Sequence, residues 1–137
     1  MSTLIIIICF IVLSVIFHLA YKTAKRQSTS SLKNREVLEF EEWIVRYYPE
    51  NILSKVVIWE VLSTIAEELN INPTQIRTQD RFLVEFAFRS PYNWILPDPP
   101  IDVALQEIYE RYDLKMSGQK INTVRDLLDN LCQKING

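Results

Sequence analysis

Residues able to do chemistry are few in this chain of 137, and their spacing excludes more than it offers. The only histidine, His18, sits inside an uncharged apolar run, so the rest of the chain has no imidazole for acid–base or nucleophilic work. Its plain role is that of a side chain near a membrane interface. Cys9 lies in the same run and Cys132 near the C-terminus. They form neither a CxxC pair nor a Cys/His cluster, which suits a reducing cytoplasm and offers no metal site. Gly118 and Gly137 are the only glycines, so a glycine-rich phosphate loop is absent. Acidic residues are plentiful, but no base, nucleophile and oxyanion donor can be grouped. A non-enzymatic protein without a metal is expected. Three features remain as binding chemistry: Ser90, the proline-stiffened Tyr92 and Trp94, and the acidic series Asp98, Asp102, Glu107, Glu110 and Asp113.

The elements that must position these residues begin with the apolar run. Residues 3–21 contain no Asp, Glu, Lys or Arg, and Lys22 follows at once. About 20 apolar residues, rising 1.5 Å each, cross a hydrocarbon layer of about 30 Å. A cleaved signal peptide would want a positive n-region, a shorter apolar stretch and small residues at the cleavage site. None of these is well met, so residues 1–21 are expected to be a single-pass anchor. Lys22, Lys25, Arg26, Lys33 and Arg35 follow the span, which places the C-terminal side in the cytoplasm by the positive-inside rule. The expected location is a bacterial inner (plasma) membrane.

Charge divides sharply. Residues 36–137 hold all 17 acidic residues and ten of the 15 basic ones, a net −7, whereas residues 1–35 are +5. An acidic domain lacks the basic footprint that nucleic-acid binding needs. The basic stretch serves as a topology signal and could also touch anionic headgroups.

Residues 22–35 are polar and Ser/Thr-rich and read as a linker or an extension of the membrane helix. Beyond them the apolar period is helical. Val37, Phe40, Ile44 and Tyr47 mark a first helix ended by Pro49. Ile58, Val61, Leu62, Ile65, Ala66 and Leu69 mark a second, stopped at Asn70 and Asn72-Pro73. Residues 70–100 are irregular, with Ile76, Phe82, Leu83 and Phe86 as apolar anchors and four prolines between Ser90 and Pro100. Asp98-Pro99-Pro100-Ile101-Asp102 looks like a helix start, with Asp98 as N-cap. Ile101, Ala104, Leu105, Ile108 and Tyr112 are its stripe. A capping box, Thr123-Val124-Arg125-Asp126, opens the last helix, which should bury Val124, Leu127, Leu128, Leu131 and Ile135. The expected fold is all-α: a transmembrane helix at 1–21, a basic linker at 22–35, and a small domain of about four helices at 36–137.

Residues 56–135 resemble the acyl carrier proteins and their peptidyl-carrier relatives. The resemblance lies in Ile65-Ala66-Glu67-Glu68-Leu69-Asn70-Ile71-Asn72-Pro73 followed by Gln75-Ile76 and Asp80-Arg81-Phe82. It continues in Ala104–Met116 and in Ile121-Asn122-Thr123-Val124-Arg125-Asp126-Leu127-Leu128. It implies a four-helix carrier fold whose second helix binds partners. That family carries phosphopantetheine on the serine of an Asp-Ser-Leu motif, held at a helix N-terminus. No Asp-Ser-Leu occurs here. Counting forward from Phe82 puts Ser90 at that place, and counting back from Tyr112-Asp113 puts Asp98 there. Residues 92–99 therefore read as an insertion. Ser90 lies between Arg89 and Pro91, and the proline restricts its backbone. The reading is a carrier-like interaction module without cofactor or arm. Tyr92, Trp94, Asp98, Asp102, Glu107 and Glu110 would meet a protein partner with a basic patch, or a membrane complex. Two alternatives stand beside it: a working carrier modified at Ser90, and an accessory subunit of a membrane complex.

Overall fold

The uncharged N-terminal sequence forms the first part of α1, Ser2–Lys33, in a computed structural model that describes residues 2–50, 52–86, 100–115 and 120–137. Within α1, Thr3–Thr23 is long and apolar enough to cross a membrane, and none of it is buried. The helix does not stop at Lys22. The polar residues continue it to Lys33, so helical extension, not a coiled linker, is what this stretch adopts. Its last turns enter the protein interior, with Thr29 only 2% and Leu32 0% exposed.

Residues 36–39 belong to no helix and lead into α2, Phe40–Tyr47, with Glu39 in extended backbone. Adjacent side chains of an extended segment point to opposite sides. Here Leu38 goes inward, its amide donating to Thr74 Oγ1 at 3.1 Å. Val37, expected in the core, is 56% exposed and precedes the helix. Ile44 is buried as its spacing predicts, but the centre of α2 is Trp43, fully enclosed and donating from Nε1 to the Ile76 carbonyl at 2.6 Å.

The third helix, α3 (Lys55–Leu69), buries the stripe its sequence predicts: Ile58, Val61, Leu62, Ile65, Ala66 and Leu69. It ends with Asn70 in the left-handed region at φ 54°, its amide bonding to Glu67 O and that of Ile71 to Ala66 O. That is the Schellman closure, with Asn in the place glycine usually takes. A single 3₁₀ turn, Pro73–Gln75, follows, closed by the reciprocal bonds of Asn72 and Gln75. Among the proposed loop anchors, Ile76, Phe82 and Phe86 are buried, whereas Leu83 is 82% exposed.

Helix α4, Pro100–Arg111, packs along α3 through Ile101, Ala104 and Ile108. It closes with the same Schellman pattern, Asp113 at φ 48° and the Leu114 amide on Tyr109 O at 2.9 Å. Helix α5, Val124–Asn136, opens with the predicted capping box. Thr123 Oγ1 accepts from the Asp126 amide at 3.1 Å, and Asp126 Oδ2 from the Thr123 amide at 2.9 Å. Val124, Leu127, Leu128 and Leu131 are buried, but Ile135 is 49% exposed because the final turn of α5 overhangs the core. One cluster joins Leu32 of α1 to side chains of α2, α3, α4 and α5. The architecture is all-α, with one isolated β-bridge, Arg81 to Thr123, among the described residues.

Candidate docking groove on α4 and the polar clamp beneath α1

The face of α4 flanking its buried stripe carries Asp102, Leu105, Gln106, Tyr109 and Glu110, spaced three and four residues apart, and Asp113 follows just past the helix end. With Leu114 and Ile121 from the exit loop they line a groove of about 630 Å³. Its floor is apolar: Leu114 is buried, and Leu105, Tyr109 and Ile121 are half-buried against the core. The closure of α4 builds this floor, because the left-handed turn at Asp113 folds Leu114 back onto Tyr109. The rim is acidic. Glu110 accepts from Gln106 Nε2 at 3.0 Å, and Asp113 pairs with Lys134 at 3.3 Å. Burial pushes the Tyr109 phenol above its ordinary value. The arrangement suits contact with an apolar side chain flanked by cations.

Of the residues singled out in the sequence, Asp102 and Glu110 come together on this rim. Glu107 does not. It is exposed on a neighbouring face and paired with Arg111. Ser90, Tyr92, Trp94 and Asp98 lie outside the described residues, as do the insertion and the register question that depend on them. His18 is exposed within the span, Cys9 and Cys132 are free thiols, and no His/Cys/Asp/Glu group suited to a metal occurs among the described residues.

A second constellation was not legible in advance. Arg35, counted among the flanking cations, is turned inward. Its Nη1 and Nη2 bond Asp80 Oδ2 and Oδ1 at 2.6 and 2.9 Å, and Asp80 is 3% exposed. Asp80 Oδ2 also accepts from the Arg77 amide at 2.7 Å. Gln75 Nε2 donates to Lys33 O at 2.9 Å and to Arg35 O at 2.8 Å. The loop reaches α5 as well, since Val124 N donates to Asp80 O at 3.1 Å and Arg125 N to Thr78 O at 2.8 Å. The one available signal was a basic residue 45 positions from an Asp in a polar loop, which is no pattern at all without the fold.

Comparison of the chain with protein-family models, curated proteins and solved structures gives no match in any of the three. What stands is a small all-helical domain carrying one apolar N-terminal helix of membrane-spanning length.

Proposed function

We propose that this protein is a membrane-anchored interaction module of carrier-like fold that lacks the phosphopantetheine arm, catalyses no reaction, and docks a basic protein partner or membrane complex on α4 from the cytoplasmic side of the plasma membrane. The observation that carries the reading is the α4 groove, with its apolar floor and the carboxylates of Asp102, Glu110 and Asp113 around it. Such a surface favours an apolar anchor ringed by Lys or Arg, and the net charge of −7 on residues 36–137 steers a basic partner toward it. The anchor reading is supported by the continuity of α1. Cleavage after Ala20 or Ala24 would cut a helix whose last turns are part of the core. The carrier resemblance rests on the helix order and on the capped start of α5. The loss of Asp-Ser-Leu supports the absence of an arm.

The test is a photo-crosslinking residue at Gln106 in the full chain, in native membranes. A discrete adduct is expected, reduced about tenfold or more by Asp102→Lys or Glu110→Lys and unchanged by Ser90→Ala. Equal adducts in all variants would move the interface away from α4. A mass increase of one phosphopantetheine group, removed by Ser90→Ala, would replace this reading with a working carrier.

A further inference from the structure

We propose that the loop of residues 73–80 locks the helical domain onto the end of α1, so that membrane helix and domain move as one body and α4 is held at a set height and heading over the bilayer. This rests on reading Thr3–Thr23 as a membrane span, and concerns what that span holds, not what α4 binds.

The last carbonyls of any helix lack intrahelical donors. At α1 one donor comes from across the fold: Gln75 Nε2 bonds Lys33 O at 2.9 Å, the final residue of the helix, and then Arg35 O at 2.8 Å. Arg35 returns a bond from Nη1 to Gln75 O at 3.0 Å while gripping Asp80 with both nitrogens. With the guanidinium in place Asp80 is only 3% exposed, and separating the partners of so enclosed an ion pair is strongly disfavoured. The grip passes on to α5, because Asp80 O holds the Val124 amide. Leu32, at 0% exposure, seals the apolar side of the contact. Bending the chain between Lys33 and Arg35 would break the Gln75 bond to Lys33 O and uncover Leu32 together.

Its position relative to the bilayer follows from helix rise. Lys33 is ten residues past Thr23, about 15 Å at 1.5 Å per residue. Thr29, six residues past Thr23 and about 9 Å out, is already 2% exposed. The polar layer outside the hydrocarbon is about 5–8 Å thick on each side. Packing thus starts where the headgroups end. A coil over residues 22–35 would instead let the domain wander over about 20 Å.

The test is the distance distribution between spin labels at Leu13→Cys in the span and Glu107→Cys on α4. It uses the full chain in lipid nanodiscs with Cys9 and Cys132 replaced by serine. A single narrow population is expected. Two alanines inserted after Thr23 should move that population, through a rotation of about 200° and a rise of about 3 Å, and leave it narrow. Asp80→Ala should broaden it at least twofold. Gln75→Ala, which keeps the ion pair, should broaden it less and covers the case in which Asp80→Ala fails to fold. A wild-type distribution as broad as that of a chain with Gly-Ser in place of residues 24–28 would overturn the lock. So would a distribution that stays narrow in both clamp variants. A narrow population without an adduct at Gln106 would sink the docking reading and leave the lock standing, and a broad one with the adduct would do the reverse.

Discussion

Replacing Trp43 with phenylalanine should cost the domain about 2–4 kcal/mol, more than its conservative appearance suggests. Two terms add. The smaller ring leaves a void in a site with no solvent access, at roughly 24 cal/mol per Å³ about 1 kcal/mol. The indole N–H also disappears from the Ile76 carbonyl, which it meets at 2.6 Å, and Ile76 itself is 0% exposed. A buried acceptor left alone costs about 1–3 kcal/mol. For a domain of this size 1 kcal/mol moves the melting temperature by about 4–6 °C, so the midpoint should fall by about 10–20 °C. The assay is thermal denaturation of the full chain in nanodiscs, followed by near-ultraviolet circular dichroism, which the apolar part of α1 barely affects. Trp59→Phe is the control. Trp59 is 42% exposed and touches Phe40 edge-on at 4.9 Å, and its loss should cost under about 1 kcal/mol. A Trp43→Phe midpoint within about 3 °C of wild type, or one no lower than that of Trp59→Phe, would refute the reasoning.

Three further outcomes are expected. Leu128→Ala, at a fully enclosed position of α5, should lose about 2–5 kcal/mol in urea denaturation, whereas Ile135→Ala on the overhanging turn should lose under about 1 kcal/mol. Asp113→Gly should raise stability by about 0.5 kcal/mol in the same assay, because relief of a left-handed φ of 48° outweighs the loss of the exposed ion pair with Lys134. The third concerns alkaline pH. Burial, and then the hydrogen bond to Glu60, pushes the Tyr112 phenol up to about 12 in the folded protein, against about 10 in the unfolded chain. A raised folded value stabilises the neutral form. That contribution is whole below pH 10 and lost as pH rises toward 12. The melting temperature should fall across that window, and Tyr112→Phe should make the fall shallower.

The helices of the domain, α2 to α5, were largely legible because each is amphipathic on its own account. The α3 stripe from Ile58 to Leu69, the Asn70 stop, and the Thr123–Asp126 box each depend on residues within a few positions of one another, so local spacing suffices. The errors fall where direction depends on distant partners. Val37 and Leu38 are adjacent and both apolar, and only the docking of this segment on the loop of residues 73–80, marked by the bond from the Leu38 amide to Thr74, shows which one goes inward. Leu83 has the same composition signal as Phe82 and Phe86, yet the Phe82 amide is tied to Asn122 O, and that pairing leaves Leu83 outside.

For the candidate site the division is similar. The acidity of α4 was visible as a list of residues. Helical spacing alone puts Asp102 and Glu110 on one face and Glu107 on another, but the floor that makes this face a groove is completed by Leu114, folded back at the Asp113 turn, and by the return of Ile121. By itself the sequence determined an uncharged span of membrane length, a change of charge sign at residue 36, and the helical class, since each depends only on composition and short-range period. The tertiary structure alone decided that Arg35 is not a flanking cation but the partner of Asp80, and that α1 ends inside the domain. A buried ion pair 45 residues apart leaves no periodic trace in the chain, and its existence is a property of two surfaces brought together.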